Sequence, residues 1–284
     1  MMRIRVMTED DIPGGLRLNT VCGWNQTGAD WLRFLRQSPQ GCFVMESDAN
    51  IVGTATTISY EDRFAWIGMV LVDPDFRNKG IGTQLLHKTI EYLDHFNIPT
   101  MKLDATPLGK PLYAKLGFVT EYEVERWILK RAISPTLTTR NNLNQIAPTQ
   151  LAEILELDKK IFGADRSFLL RSLQEQSPEF AAASWSNGAP QAYSFGRHGL
   201  FADHLGPWMA SSSTTAEEVL KNFLVRSTRD KLIVDCMKAN VMAVDLLTQH
   251  GFSVARPLTR MVRGPNTYPG MPGSLCAILG PEFG

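Results

Sequence analysis

Apolar and polar positions along the first half of the chain fall into short alternating runs and longer stretches of helical spacing. Ile4 to Met7 alternates like a short strand, and Thr8-Glu9-Asp10-Asp11 is a suitable helix start before Ile12 to Leu18. Asp30-Trp31-Leu32-Arg33-Phe34-Leu35 carries its apolar residues at helical spacing. Gly41 to Glu46 and Asn50 to Tyr60 read as antiparallel strands that turn at Asp48-Ala49-Asn50. Phe64 to Val72 is a longer apolar run and is predicted as the central strand. A helix from Thr83 to about Phe96 follows, then a strand over Pro99 to Asp104. Val119 to Lys130 is predicted to close the sheet. The fold class expected is α/β, an α+β arrangement in which a mixed sheet carries helices on both faces.

Between the central strand and its helix stands Val70-Leu71-Val72-Asp73-Pro74-Asp75-Phe76-Arg77-Asn78-Lys79-Gly80-Ile81-Gly82-Thr83. A tight turn opening a helix presents free backbone N–H groups, and the helix dipole adds partial positive charge at the same spot. Such a spot suits a pyrophosphate. Gly80 and Gly82 let the backbone approach phosphate oxygens closely, because no Cβ intervenes. Arg77 and Lys79 add cationic character. The Rossmann fingerprint needs three spaced glycines, and the P-loop needs Gly-Lys followed by Ser or Thr; neither stands here.

What does stand here is Arg77-x-x-Gly80-x-Gly82, and further on Leu112-Tyr113-Ala114-Lys115-Leu116-Gly117-Phe118. The two segments, in this order, resemble the acyl-CoA signature of the GNAT superfamily of N-acetyltransferases and its Leu-Tyr-x-x-Leu-Gly-Phe helix end. The resemblance implies acetyl-CoA as co-substrate. The backbone of Val70, Leu71 and Val72 would lie along the pantetheine arm and polarise the thioester carbonyl. Arg77, Asn78, Lys79, Gly80, Ile81, Gly82 and Thr83 would hold the pyrophosphate. Tyr113 would protonate the departing sulfur, although a Tyr at this place also suits a core aromatic. Many members carry a Glu on the central strand as general base, and Ala65 to Val72 contains no carboxylate. Asp104 is the nearest candidate in sequence, and is equally suited to capping the Thr106 to Gly109 loop. Ordered water, or His198, Asp203 or His204 from the second half, are the other candidates for the base.

Ala132 to Pro148 is rich in Ser, Thr, Asn and Pro, as a linker or an irregular crossing strand would be. Beyond it the pattern begins again. Sliding the chain on itself so that Gly117-Phe118 falls on Gly251-Phe252 also lands Leu86 on Leu220 and brings Phe64 to Val72 close to Leu200 to Gly206. A repeat of domain length means duplication. The whole chain resembles tandem GNAT proteins: an N-terminal acetyltransferase domain over 1–131, a connection over 132–148, and a divergent GNAT-like domain over 149–284. In the same alignment Ser211, Thr214 and Ala216 replace Arg77, Gly80 and Gly82, Leu247 replaces Tyr113, and Glu217-Glu218 fall where the first helix opens. Carboxylates there would repel a pyrophosphate. The second half is expected to be structural or substrate-shaping, without a CoA turn.

The remaining features narrow the function. Twenty-nine basic residues balance 29 acidic ones, so no basic field argues for nucleic acid or an anionic membrane. No apolar run is long enough for a signal peptide or a membrane span. Four cysteines stand far apart without metal spacing, as reduced thiols of a cytoplasmic protein do. No metal is expected, and a monomer or a homodimer is. The loop Cys22-Gly23-Trp24-Asn25-Gln26-Thr27-Gly28 is the expected acceptor side, with Trp24 as an aromatic wall and Asn25 and Gln26 as amides; a packed Trp with turn residues reads equally well. The function expected is transfer of an acetyl group from acetyl-CoA to the primary amine of a small molecule, by direct attack in a ternary complex. A non-catalytic acyl-CoA sensor and an N-acetyltransferase of protein or peptide amines are the alternatives.

Overall fold

The computed structural model describes residues 2–132 and 143–284, so residues 133–142 of the expected connection lie outside the described part. The chain divides into two compact units. Unit 1 comprises Met1–Thr120, Met261–Thr267 and Phe283; unit 2 comprises Glu121–Arg260, Tyr268–Glu282 and Gly284.

Unit 1 runs β1 (Met2–Val6), α1 (Ile12–Cys22), α2 (Gly28–Gln37), β2 (Phe43–Ser47), β3 (Asn50–Tyr60), β4 (Phe64–Val72), α3 (Ile81–His95), β5 (Met101–Ala105) and α4 (Lys110–Lys115). Its strands lie in chain order β1-β2-β3-β4-β5, antiparallel as far as β4 and then parallel between β4 and β5. Each element has a local cause. Asp48 and Ala49 both take positive φ, which gives the β2–β3 hairpin the left-handed turn that matches strand twist. Thr27 and Asp30 form a reciprocal capping box at the start of α2. One apolar stripe of α3 (Ile81, Leu85, Leu86, Ile90, Leu93) is buried against the sheet and forms the centre of the unit 1 core.

Val119–Lys130 (β6) is a strand with the predicted bounds, but it does not close the first sheet. From Glu121 onward it belongs to unit 2 and pairs antiparallel with Lys231–Met237. Beside β5, unit 1 instead takes Met261–Arg263 from the other end of the chain. That segment is fixed by side-chain fit: Met261 is buried with Leu86, Leu103 and Phe118. The Thr100 hydroxyl donates to the carbonyl of Pro265. Gly264 has φ +91°, and a Cβ there would collide with the carbonyl oxygen of Pro99.

After β6, unit 2 continues with β7 (Asn144–Gln145), α5 (Pro148–Phe162), α6 (Ser167–Gln176), β8 (Ala182–Ser186), β9 (Ala189–His198), β10 (Asp203–Ala210), α7 (Ser213–Arg226), β11 (Lys231–Met237), α8 (Val241–Gln249), β12 (Ser253–Arg263, in unit 2 as far as Arg260) and β13 (Leu275–Ala277). Helices α7 and α8 cover an apolar face built from Trp208, Leu232, Val234 and Cys276. A buried ionic network occupies strand positions of the same sheet. Arg126 donates to both oxygens of Asp235, each at 2.7 Å, and the two residues are directly opposite across β6 and β11. His204 accepts at Nδ1 from Arg197 at 3.1 Å, and its Nε2 lies 3.0 Å from Asp235. A bond accepted at Nδ1 requires the neutral ring.

Burial and the adjacent Arg197 guanidinium push His204 down from 6.5 to about 4. The unfolded chain binds this proton more readily than the folded one. The stabilisation is therefore complete above pH 6.5 and declines as pH falls towards 4. His204 is expected to account for a loss of about 3 kcal/mol across that window. Urea midpoints measured from pH 7 to pH 4.5 check this: a His204→Gln variant should show a shallower decline than the wild type.

Candidate functional site

Strands β4 and β5 pair at Ala65 with Met101 and at Trp66 with Lys102, and no further. Both strands continue, β4 to Val72 and β5 to Ala105, so they part and leave the edge of β4 beyond Trp66 without a strand partner on that side. The cause lies in β4 itself. Its register with β3 shifts between Thr54 and Thr56, and Met69 takes φ +48°, a left-handed conformation that is costly for a residue with a Cβ. This is a β-bulge, which bends its strand and sharpens the twist. The Thr54 hydroxyl donates to the Met69 carbonyl at 2.7 Å in a buried setting and locks the bulge. Sequence pattern missed it, since nothing in Phe64 to Val72 marks a left-handed residue.

At the end of β4 the chain makes a short 3-10 turn, Pro74–Phe76, capped by Asp73 through the Asp75 N–H at 3.1 Å. Arg17 of α1 fixes this turn, bonding Asp73 at 2.7 Å and the Ile51 carbonyl at 2.8 Å. Asn78 and Gly80 then adopt positive φ (+61° and +76°) and turn the chain into α3. Gly80 is the N-cap and brings no side chain to bond the helix start. The first N–H to close a helical bond is that of Gln84, to the Gly80 carbonyl at 3.0 Å. The N–H groups of Ile81, Gly82 and Thr83 are left facing outward, with no acidic residue in the first turn.

A Cβ at Gly82 would meet only Leu112 and Val72, both at 3.7 Å. Packing therefore does not demand glycine here, and a helical glycine costs roughly 1 kcal/mol against alanine. The basic side chains fold back on the loop: Arg77 reaches the Val72 carbonyl at 3.4 Å, and Lys79 bonds the Asp75 carbonyl at 3.1 Å over the Phe76 ring.

Helix α4 adjoins this turn through Leu112. It ends at Gly117, φ +86°, where the Phe118 N–H returns to the Tyr113 carbonyl at 3.1 Å. Tyr113 packs edge-on to Phe118 and is 9% exposed. Its hydroxyl has no hydrogen-bond partner among the described residues, and burial raises its pKa well above the ordinary phenol value, so the proton stays on the oxygen. Asp104 is half-buried on β5. The Thr106 to Gly109 turn is closed by Thr106 itself, through its hydroxyl and its carbonyl. Trp24 is half-exposed in the α1–α2 loop, whereas Asn25 and Gln26 are buried, and the Gln26 carbonyl accepts from Asn19 at 2.8 Å. Asp203 and His204, named as bases from the second half, are both inside unit 2: Asp203 bonds His198 and Ser227, and His204 belongs to the network described above.

In unit 2 the corresponding place is built differently. Strands β10 and β11 also run parallel, from Asp203 opposite Leu232 to Leu205 opposite Val234, and then separate. Here β13 fills the gap, with Ala277 opposite both Trp208 and Cys236. Only Ser211 and Ser212 lie between β10 and α7, so no counterpart of the Asp73 to Gly80 loop exists. Glu217 and Glu218 do not open the helix as the sequence alignment suggested, because α7 starts earlier, at Ser213. Ser212 caps it, accepting from the Thr215 N–H at 3.3 Å, and Glu217 pairs with Lys221 at 2.8 Å one turn on.

The mixed sheet, with its parted strand pair beside an uncapped glycine turn, is that of an acetyltransferase fold. Residues 17–118 match the acetyltransferase (GNAT) family, and residues 154–276 match an acetyltransferase (GNAT) domain. The chain belongs to the GNAT N-acetyltransferases and carries two GNAT domains in tandem. It is 25% identical over 244 residues to the uncharacterized N-acetyltransferase YitH of Bacillus subtilis, covering 86% of this chain and 85% of YitH. It is 28% identical over 148 residues to holothin acyltransferase of a Pseudoalteromonas species, about half of each chain (52% and 49%). A solved structure from Pyrococcus horikoshii, assigned to the acetyltransferases, shares the fold with a TM-score of 0.80 at 24% identity, over 100% of this chain and 96% of that one. No helix among the described residues is long and apolar enough to cross a membrane.

The Thr54–Met69 bond gives a direct test of the bulge. Thr54→Val keeps the side-chain shape and leaves a buried carbonyl without its donor. The expected loss is about 1 to 3 kcal/mol in urea unfolding. A Thr54→Ser variant, which keeps the hydroxyl, should recover part of it.

Proposed function

We propose that unit 1 binds acetyl-CoA at the β4–α3 turn and transfers the acetyl group to the primary amine of a small molecule, by direct attack in a ternary complex. One observation carries the reading: three uncapped helix N–H groups on α3, an unpartnered strand edge on β4 and an unpaired tyrosine hydroxyl on α4 belong to elements that meet at one turn. The N–H groups of Ile81, Gly82 and Thr83, with the turn Arg77-Asn78-Lys79-Gly80, serve the pyrophosphate. The open edge of β4 at Val70, Leu71 and Val72 offers backbone groups to the extended pantetheine arm, as a missing neighbour strand would. An N–H from the same edge polarises the acetyl carbonyl as charge develops on its oxygen.

Attack by the amine expels CoA as a thiolate. Tyr113 donates its proton, or a strong hydrogen bond, to that sulfur. The amine must arrive neutral, and β4 offers no carboxylate for the purpose. We assign its deprotonation to Asp104 at the end of β5, directly or through water. Trp24 lies on the acceptor side, with Asn25 and Gln26 shaping the loop from within. A small-molecule acceptor is supported by the relative named for acyl transfer to holothin. The absence of a β4 carboxylate favours a second reading, an acyl-CoA sensor without turnover; release of free thiol from acetyl-CoA in the presence of an amine panel separates the two. Unit 2 is assigned no CoA site, since β13 occupies its strand gap and Ser212 caps its helix.

Two variants test the assignment. Tyr113→Phe should bind acetyl-CoA with nearly wild-type affinity and lose roughly 10²- to 10⁴-fold in turnover, measured by thiol release. Wild-type turnover with chemistry rate-limiting would make Tyr113 a packing residue. Gly82→Val should fold, because a Cβ has room there, and should abolish acetyl-CoA binding in calorimetry. The wild type should titrate with one site per chain; two sites would overturn the assignment.

A further inference from the structure

The sheet of unit 2 contains a cation that neither its core nor the acyl-transfer reading uses. Asp235 is fully buried and committed to Arg126 through two bonds. Glu282 is buried and accepts from Arg197. These pairs are balanced. Arg256 on β12 is not: its Nε is closed off from solvent without a hydrogen-bond partner, and no carboxylate among the described residues forms an ion pair with it. The acids that act on its charge are Asp235 and Glu282, both already engaged, and Arg126 adds a like charge. Four residues along the same strand, and so on the same face, Arg260 is held 5.0 Å from the Tyr122 ring centroid and donates to the Tyr122 hydroxyl.

Burying an unpaired charge is costly, and most side chains escape by losing it. A guanidinium cannot do so near neutral pH. Arg256 is half-buried, so water reaches part of the guanidinium, and an anion from outside the chain would supply the charge balance that no carboxylate of the described residues gives it. We propose that Arg256 anchors an anion site in unit 2 that takes the carboxylate of a small molecule. One surplus cation matches one negative charge, and the planar fork of the guanidinium matches the two oxygens of a carboxylate. Burial and the neighbouring Arg126 hold Arg256 down to about 10, which agrees with a cation short of its partner. The proposal is independent of the acyl-transfer reading, because it concerns unit 2 and stands whether or not acetyl-CoA binds.

The test uses the full-length protein with acetate, succinate and inorganic phosphate, each against sodium chloride of equal ionic strength. Acetate or succinate should raise the melting temperature of the wild type and give a saturable calorimetric titration. Arg256→Met should weaken that binding by about tenfold or more, with Arg256→Lys between the two, since Lys keeps the charge without the fork. In chloride alone Arg256→Met should melt at or above the wild-type temperature, because a half-buried charge without an acidic partner has been removed. Should that variant fail to fold, a comparison of Arg256→Lys with the wild type carries the test. The proposal is overturned by a wild type that responds to carboxylates no more than to chloride, by variants that bind like wild type, or by a response to phosphate alone.

Discussion

The parting of β4 from β5 is the constraint around which unit 1 is organised. Two parallel strands held together along their length would satisfy each other's backbone groups and leave nothing for a ligand. Here the left-handed Met69 bends β4 after Trp66, and the buried Thr54 hydroxyl keeps it bent. The cost of a left-handed residue with a Cβ is offset by that bond and by the burial of Met69 itself. The separation then runs directly into the Asp73 to Gly80 turn and the uncapped start of α3. Strand edge and helix end are thus two parts of one feature.

The second half shows what becomes of the same plan once the cleft is not kept. Its parallel strands also separate, but β13 enters between them, and Cys276 and Ala277 are fully buried there. Its helix begins two residues after the strand, with a serine cap in place of a glycine turn. Both changes satisfy groups that unit 1 leaves open. In exchange the unit carries several buried ion pairs. Such pairs are weak evidence for stability, because desolvation offsets much of their attraction. A neutral His204 and an unpartnered Arg256 in the same sheet make its charge balance pH-sensitive and incomplete.

Much of this was legible in the sequence. Strands β3, β4 and β6 have the predicted bounds, because alternation and long apolar runs bounded by turn residues are local signals. The glycine turn and the Tyr113 to Phe118 segment were legible for the same reason: positive φ and close approach demand particular residues at fixed offsets. The duplication was visible in Gly117-Phe118 and Gly251-Phe252, which end corresponding helices, although the alignment placed Glu217 and Glu218 too near a helix start. A shared Gly-Phe fixes only one point of register, and the missing turn in the second half shifts everything before it.

What the sequence could not give is set by partners far apart along the chain. Which strand lies beside β5 depends on Met261 fitting a core with Leu86 and Phe118, and on Gly264 passing the Pro99 carbonyl. Both are long-range contacts that no local pattern encodes. The bulge at Met69 needs a hydroxyl from the neighbouring strand, and the state of Arg256 depends on acids that other arginines have already taken. Local propensity and spacing determined that this chain builds a glycine turn with an uncapped helix start in its first half. Side-chain fit and charge balance in three dimensions decided which strands stay open, which are filled, and which cation is left without a partner.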